Sequence, residues 1–352
     1  SKWISEQAVS FCQIMEDNGY TPGIYANLNW FNNYLNSTTV DKYEKWVAQY
    51  NLECQYKKPY AMWQYSSAGS VDGIKGDVDL NFDFKERTDE PVFRYERFAG
   101  ASRYKTATAI ANGLLKIQGK SKFDNIVVAS GENYPDALTG CYLASAYNAP
   151  VLMVNKANET YVADYIKGKL NSGGKIFILG DKKVVSSALE TKLKAYGNVQ
   201  RLAGATRYDT NLDILKAAPN AKELVVCSGE GYADSLSASS CGRPMMIVGA
   251  SLTSKQKEYL KTAGYEKIYI IGGVSAVSSA VEIDLPMYAT SDVIRISGGT
   301  RYETSRLVAE AFFKDPAVAA FTIGDNFPDG IAGGSLANAC GAPVLLVNKD
   351  NN

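Results

Sequence analysis

Apolar positions follow a helical period at the start of the chain and short strand-like runs after it. Residues 5–17 carry apolar side chains every three or four positions, and Asn18-Gly19 supplies a stop, so this pattern predicts a helix. The segments that follow are short, apolar and separated by turns, which is typical of strands. We expect these strands at 24–27, 45–50, 61–65 and 76–81.

From about residue 94 the pattern switches repeatedly between helical and strand-like segments. Residues 102–117 place their apolar side chains on one helical face, and residues 126–128 form a β-branched run typical of a buried strand. Because helices and strands alternate, the pattern predicts an α/β fold with mostly parallel sheets covered by helices.

One motif recurs three times in this part of the chain. Arg97-Phe-Ala-Gly-Ala-Ser-Arg-Tyr104 returns at residues 201–208 and again at 295–302, at intervals of 104 and 94 residues. These intervals are much longer than the repeats of solenoids and propellers. Each copy is therefore long enough to form a small α/β module with its own core.

Each copy continues with a strand-like run, a glycine, an acid, an aromatic residue and then an aspartate, which is Asp136, Asp234 or Asp329. A second apolar run follows in all three copies, but a third follows only in the first two. We therefore expect the third module to be truncated and short of a strand. The predicted divisions are a first domain at 1–88, a linker at 89–93, and modules at 94–199, 200–293 and 294–352.

These recurring motifs resemble the cell wall binding repeat 2 family of Gram-positive surface proteins, over roughly residues 94–352. The resemblance implies modules that bind an anionic secondary polymer of the wall without a covalent bond. It also implies that three modules pack together around a pseudo-threefold axis.

The second arginine of each motif, Arg103, Arg207 or Arg301, falls in the first turn of a predicted helix. Thr206 with Asp209, and Thr300 with Glu303, have the spacing of a capping box at that helix start. A cation there opposes the helix macrodipole, so each arginine needs a partner. Two kinds of partner are compatible with the sequence. One is internal, a bidentate contact with the carboxylate of Asp136, Asp234 or Asp329. The other is external, an anionic polymer bound at the carboxyl ends of the strands.

In the first ninety residues, aromatic side chains and carboxylates are expected on the same sheet. Period-two spacing places Trp63 and Tyr65 on one face, and likewise Asp77 and Asp79. Such a face can stack on a sugar ring and transfer protons, although an aromatic core with two solvated aspartates has the same spacing.

The order of Gly-Tyr-x-Pro-Gly-Ile-Tyr-Ala-Asn27, Met-Trp-Gln-Tyr65 and Gly-Asp-Val-Asp-Leu-Asn81 resembles the carboxy-terminal half of a glycoside hydrolase family 25 muramidase barrel, over about residues 1–84. That resemblance implies that Asp79 is a remnant active-site acid and that Tyr25 and Trp63 line the substrate groove. The family's Asp-x-Glu pair lies on strands that precede this segment. We therefore expect the natural protein to continue upstream, and this chain alone to be inactive, since glycosidases commonly use two carboxyl groups.

Composition narrows the possible chemistry. The sequence has no histidine, which excludes Ser-His and Cys-His nucleophiles and histidine-ligated zinc. Its six cysteines lack Cys-x-x-Cys spacing and are expected to be free thiols. Residues 1–90 hold 8 Lys and Arg against 13 Asp and Glu, and the remainder holds 29 against 24. This mild surplus does not indicate nucleic-acid binding, but it is compatible with an anionic polymer.

Neither a cofactor nor a metal is expected. The acid pairs at 132/136, 230/234 and 325/329 are weak magnesium candidates, no Gly-x-Gly-x-x-Gly follows a strand, and no apolar run could span a membrane. The leading interpretation is a secreted, wall-anchored muramidase-like fragment whose partners are peptidoglycan and an anionic wall polymer. The alternative is a non-catalytic surface-layer or anchoring protein.

Overall fold

The chain folds into two compact units, residues 1–95 (unit 1) and 96–352 (unit 2). The computed structural model describes residues 2–71, 73–85 and 95–348. The predicted linker at 89–93 lies outside these described residues.

Unit 1 is an open sheet with helices packed against one face. The strand order is β1-β2-β3-β4, with β1, β2 and β3 parallel and β4 antiparallel to β3. This arrangement is the partial barrel that the sequence predicted. Its elements are α1 (Lys2–Asp17), β1 (Gly23–Asn27), α2 (Leu28–Asn33), a 3-10 turn (Val40–Lys42), β2 (Glu44–Ala48), β3 (Met62–Gly69) and β4 (Val78–Asp83).

Alternating side chains explain why the helices lie on one side of this sheet. Ile24 and Ala26 of β1 are buried with Val47 of β2 and Phe31 of α2, whereas Tyr25 between the first two is exposed. The start of α2 is fixed by Asn27, whose side chain accepts a hydrogen bond from the backbone N–H of Trp30 at 2.9 Å.

Unit 2 contains three copies of one α/β module, in which every described strand pair is parallel. The elements of repeat 1 are α3 (Arg103–Gln118), β5 (Phe123–Ser130), α4 (Pro135–Ala146), β6 (Val151–Val154), a 3-10 turn (Lys156–Asn158), α5 (Glu159–Lys169), β7 (Leu170–Leu179) and α6 (Ser187–Lys194). Those of repeat 2 are β8 (Asn198–Leu202), α7 (Arg207–Ala217), β9 (Glu223–Ser228), α8 (Ala233–Ser237), β10 (Met245–Val248), α9 (Ser254–Ala263), β11 (Lys267–Ile271), α10 (Ser279–Asp284) and a 3-10 turn (Leu285–Tyr288). Those of repeat 3 are β12 (Val293–Ile296), α11 (Arg301–Phe312), β13 (Ala320–Ile323), α12 (Pro328–Ala339) and β14 (Val344–Val347).

Each of the first two sheets borrows its last strand from the next repeat. The orders are β6-β5-β7-β8 and β10-β9-β11-β12, so the strand that leads into a motif completes the preceding sheet. The predicted cuts at 199/200 and 293/294 fall inside β8 and β12. Sequence periodicity could not show this exchange, because a repeat can be cut at any point of its period.

Repeat 3 differs from the other two. Within the described residues its sheet consists of β13 and β14 alone, as the truncated third module predicted.

The three repeats share one hydrophobic core around a pseudo-threefold axis. Helix α4 packs against α7, α8 against α11, and α12 against α3, so each repeat contacts the next in a closed cycle. On the axis lie Tyr134, Tyr232 and Phe327, whose ring centroids are 5.6–5.8 Å apart at interplanar angles of 61–62°. These equal edge-to-face contacts confirm the expected pseudo-threefold arrangement.

The recurring motif builds the start of the first helix in each repeat. Thr206 caps α7 by accepting the backbone N–H of Asp209 at 3.2 Å. Gly204 lies so close to this turn that an added Cβ would meet the Asp209 carbonyl carbon at 2.6 Å, which explains the glycine. The predicted capping boxes are not closed: the Asp209 carboxylate accepts from the Thr206 hydroxyl at 3.0 Å, and the Glu303 carboxylate accepts from the backbone N–H of Gly299, one residue before the cap.

Close packing between α12 and α8 gives a test of the shared core. An added Cβ at Gly330 would meet the buried Leu236 side chain at 2.8 Å, whereas at Gly333, one turn away, it would meet nothing within 4 Å. We expect Gly330→Ala to lower the free energy of unfolding of unit 2 by about 1–3 kcal/mol through overpacking. Gly333→Ala is the control and should raise it by about 0.5–1 kcal/mol.

Chemical denaturation followed by far-UV circular dichroism measures this difference. All four tryptophans lie in the first 63 residues, so their fluorescence reports unit 1 alone and should be the same in both variants. Equal stabilities of the two variants would contradict a core that depends on this contact.

Candidate functional site

Each motif arginine is anchored to its own repeat by a backbone carbonyl. Arg103 Nη1 donates to the carbonyl of Gly131 and Arg207 Nη1 to that of Gly229, both at 2.5 Å, and Arg301 Nη1 donates to Gly324 at 2.7 Å. These three glycines directly follow strands β5, β9 and β13, respectively. The arginines therefore lie at the carboxyl edge of the sheets, where both sequence hypotheses placed them.

In each repeat the residue after this glycine is an acid, and it lies near the motif arginine or near a residue next to that arginine. Glu230 lies 3.5 Å from Arg207 and accepts a hydrogen bond from the Tyr208 hydroxyl at 2.6 Å. Asp325 holds the equivalent place 3.9 Å from Arg301. In repeat 1, Glu132 instead accepts from the side-chain amide of Asn155 at 2.9 Å. The cationic edge is thus partly neutralised by an acid of the same repeat.

The predicted aspartates begin the central helices, each facing the arginine of the next repeat. The pKa of Asp136 is raised to about 6, chiefly by burial and also by the Asp181 carboxylate, and the Arg207 guanidinium opposes the shift. Burial also raises the pKa of Asp234, with Thr304 and Arg301 opposing. Asp329 is the most exposed of the three aspartates, and partial burial of its carboxyl raises its pKa too, with Arg103 opposing.

The structure does not show the bidentate arginine–aspartate contacts expected from the sequence. No guanidinium nitrogen of these arginines lies within 4.0 Å of the three aspartates, all of which are described residues. Because Gly131, Gly229 and Gly324 already take the short hydrogen bonds, the arginine and aspartate interact through space. The pairing of Arg207 with Asp136 is therefore electrostatic and not a direct hydrogen bond.

A loop closes over the aspartate in the first two repeats. An added Cβ at Gly180 would meet Asp136 Oδ2 at 2.6 Å, and at Gly272 it would meet Asp234 Oδ2 at 2.7 Å. Both glycines have positive φ, 96° and 111°, which a residue with a side chain adopts only at a cost. Close approach and backbone conformation together require glycine at these two places.

The first arginine of the motif holds these loops, a role that the sequence analysis missed. Arg201 donates to the carbonyls of Gly180 and Val185 at 2.7 and 2.9 Å and pairs with Glu190 at 2.9 Å. Arg295 does the same with Gly272, Val277 and Glu282. Recurrence of the first arginine in all three motifs was a signal that could have found this role.

In unit 1, Tyr25 lies on the sheet face that carries polar side chains. It is 53% exposed, its ring lies 4.9 Å from that of Trp46, and its hydroxyl donates to Gln64 Oε1 at 2.8 Å. Asp79 is exposed and close enough that its charge contributes, after burial and Tyr50, to raising the pKa of Tyr25. The structure therefore brings two of the three predicted groove residues together.

Trp63 is the exception, and its expected place in the groove needs correction. Register pairs Trp63 with Val47 and Tyr25 with Trp46, so Trp63 lies on the opposite face from Tyr25. It is 7% exposed, and its indole N–H donates to the carbonyl of Gln49 at 2.8 Å. Trp46, which the sequence analysis did not select, is the tryptophan beside Tyr25.

No group of three or more Cys, Asp or Glu side chains in the described ranges is arranged to hold a metal ion. None of the helices described is long and apolar enough to cross a membrane. All six cysteines are described and free.

Two families match separate parts of the chain. Residues 97–190, 201–282 and 295–352 match the family described as Cell wall binding domain 2 (CWB2). Residues 1–74 match Glycosyl hydrolases family 25.

Individual relatives follow the same division. An amidase enhancer of Bacillus subtilis is 32% identical over 286 residues, which are 79% of this chain and 38% of the relative. An autolytic lysozyme of Clostridium acetobutylicum is 33% identical over 79 residues, 22% of this chain and 24% of the relative. The solved structure of Cwp8 from Clostridium difficile has a TM-score of 0.65 at 27% identity, covering 72% of this chain and 45% of that one. The chain thus spans less than half the length of these relatives.

The raised pKa of Asp136 predicts how pH affects unit 2. The folded state keeps the Asp136 proton up to about pH 6, whereas the unfolded chain releases it near pH 4, so the stabilising contribution is lost as pH rises between these values. Asp136→Asn should therefore stabilise unit 2 relative to the parent by at most about 3 kcal/mol at pH 7 and by little at pH 3.

Urea denaturation from pH 3 to pH 7, followed by circular dichroism, gives the difference between variant and parent. Asp329→Asn is the matched control, and its effect should be smaller because that residue is exposed. A benefit of Asp136→Asn that does not grow with pH would show that folding does not raise the pKa of this carboxyl.

Proposed function

The chain belongs to the Cell wall binding domain 2 family, and we propose that its three repeats hold it on a bacterial cell wall by binding an anionic wall polymer. The observation that carries this proposal is the recurrence, at three inter-repeat contacts, of an arginine at the carboxyl edge of a sheet. That edge is where open α/β sheets usually bind ligands.

Three features of the motif arginines at the carboxyl edge support polymer binding over a purely structural role. Arg207 and Arg301 keep 34% and 39% of their side-chain surface exposed even while their Nη1 atoms hold backbone carbonyls. A guanidinium has five N–H donors, so donors remain for a ligand. Since the three contacts repeat around one axis, a polymer with repeated anionic groups can engage several of them, and linked binding raises its affinity.

Unit 1 is proposed to be the carboxy-terminal part of a muramidase barrel that contacts peptidoglycan. Its match to Glycosyl hydrolases family 25 and its likeness to an autolytic lysozyme support this. Tyr25, Trp46 and Asp79 together supply a ring surface and a carboxylate on one sheet face. Such a face suits a sugar chain, with Asp79 as one of two carboxyl groups that hydrolysis requires.

We place the protein outside the cell, on the wall of a Gram-positive bacterium. The cell wall binding family supports this location, and so does the likeness to an autolytic lysozyme. The peptidoglycan and the wall polymer are then the expected partners.

The arginines provide the test of wall binding. The triple change of Arg103, Arg207 and Arg301 to Ala should weaken binding of the chain to isolated walls by at least about tenfold, since each removes a cation from a repeated site. Binding by the parent should also weaken with added salt, as it does for exposed charges. Sedimentation of the protein with purified walls measures both effects.

Arg306→Ala is the matched control, because Arg306 is an exposed arginine of α11 that pairs with Glu310 of the same helix. It should bind as the parent does. Circular dichroism checks that the triple variant is folded. Unchanged binding by a folded triple variant would limit the three arginines to a structural role.

Catalysis is tested separately. Unit 1 supplies Asp79 as its candidate active-site acid, and one carboxyl is insufficient for the usual glycosidase mechanisms. The chain of 352 residues is therefore expected not to clear a peptidoglycan suspension, judged by turbidity beside a muramidase of known activity. Lysis by the chain that disappears in Asp79→Asn would overturn this expectation.

A further inference from the structure

The carboxyl edges of repeats 1 and 2 have the same backbone but different charges. In repeat 1, Lys156 follows β6, and Lys182 and Lys183 follow β7. The aligned residues of repeat 2, after β10 and β11, are Ala250, Val274 and Ser275. Repeat 1 thus carries three lysines at edge positions where the aligned residues of repeat 2 are uncharged.

The three lysines lie on both sides of the loop that carries Asp136, the acid that faces repeat 2. Strands β6 and β7 lie on either side of β5, so the lysines flank the loop that leads from β5 into α4 and Asp136. Lys182 and Lys183 follow Gly180 by two and three residues, and Gly180 lies against the Asp136 carboxylate. Asp136 in turn lies within the electrostatic reach of Arg207.

The lysines are available to a ligand. All three are exposed, and within the described part of unit 2 none has an acidic group within 4.0 Å of its ammonium. The loop itself is fixed, since Asp181 Oδ1 accepts the backbone N–H of Lys183 at 2.8 Å and Arg201 holds the Gly180 and Asp181 carbonyls. A fixed loop presents its charges without a large cost of ordering.

The acids of the two edges do not cancel this difference. Repeat 1 has Glu132, Asp136 and Asp181 at its edge, and repeat 2 has Glu230 and Asp234. Counting these acids, the lysines and the arginine that faces each edge (Arg207 for repeat 1 and Arg301 for repeat 2), the first edge carries a net charge of +1 and the second a net charge of −1. Asp136 is moreover the acid whose pKa is raised to about 6, which reduces its charge in mildly acidic solution.

We propose that the edge between repeats 1 and 2, formed by Arg207, Lys156, Lys182 and Lys183, is the principal site for the anionic groups of the wall polymer. This inference rests on the proposed wall binding and assigns it to one of three related contacts. The recognised chemistry is a chain of phosphate or carboxylate groups spaced along a polymer.

Repeat 2 supplies the substitutions for the test, because its loop has the same backbone with neutral side chains. Lys156→Ala, Lys182→Val and Lys183→Ser together give the neutral-edge variant, which should bind isolated walls about tenfold more weakly than the parent. The reciprocal change, Val274→Lys with Ser275→Lys, should strengthen binding about threefold.

The matched control removes charge elsewhere in repeat 1. Lys167→Ser with Lys169→Ser alters the last turn of α5, at the opposite end of the module from the carboxyl edge. Its binding should change less than twofold. Soluble poly(glycerol phosphate) and poly(glucuronic acid) serve as competitors, and inhibition by the first or the second assigns the recognised group as phosphate or carboxylate.

The outcomes separate this inference from the proposed function. Wall binding by the parent that the neutral-edge variant retains would overturn the inference alone. An equal loss in the α5 control would overturn it as well, since net charge and not the edge would then govern binding. Binding that neither soluble polymer inhibits would exclude an anionic ligand, and a parent that binds no walls would overturn the proposed function together with this inference.

Discussion

The central helices α4 and α12 have no polar face, and this constraint determines how unit 2 is built. In α4 and α12 the buried residues lie on every side of the helix, and they include Leu138, Cys141 and Ile331. One repeat covers only one side of such a helix, so the other sides must be covered by neighbours. The closed cycle of α4 on α7, α8 on α11 and α12 on α3 is the arrangement that buries both.

That shared core explains which parts of the fold the sequence could predict. Local periodicity was sufficient for α3 and β5, because each element buries one face or one run of its own residues. It was insufficient for the exchange of β8 and β12 between repeats, since register across a module boundary leaves no local pattern. The threefold arrangement was expected only from a family resemblance, and the ring contacts of Tyr134 confirm it.

The candidate site residues could also be predicted only in part, because the sequence shows which residues recur but not which long-range contacts they make. Recurrence in three copies pointed to Arg103, Arg207 and Arg301, but it could not show that glycine carbonyls take their short hydrogen bonds. In unit 1, spacing placed Trp63 on a strand, yet period two alone does not say which face is buried. The pairing of Trp63 with Val47 decides that, and pairing is a long-range property.

Exchange of strands also explains why the three inter-repeat contacts are unequal. The loops over Asp136 and Asp234 are held by Arg201 and Arg295, and each of those arginines lies on the strand borrowed from the next repeat. Closing the loop therefore requires both the third strand of a repeat and the first strand of its successor. Asp329 has neither within the described residues and is exposed. The strand exchange that joins the repeats into one core therefore also makes their three sites different. Identical motifs need not contribute equally to binding.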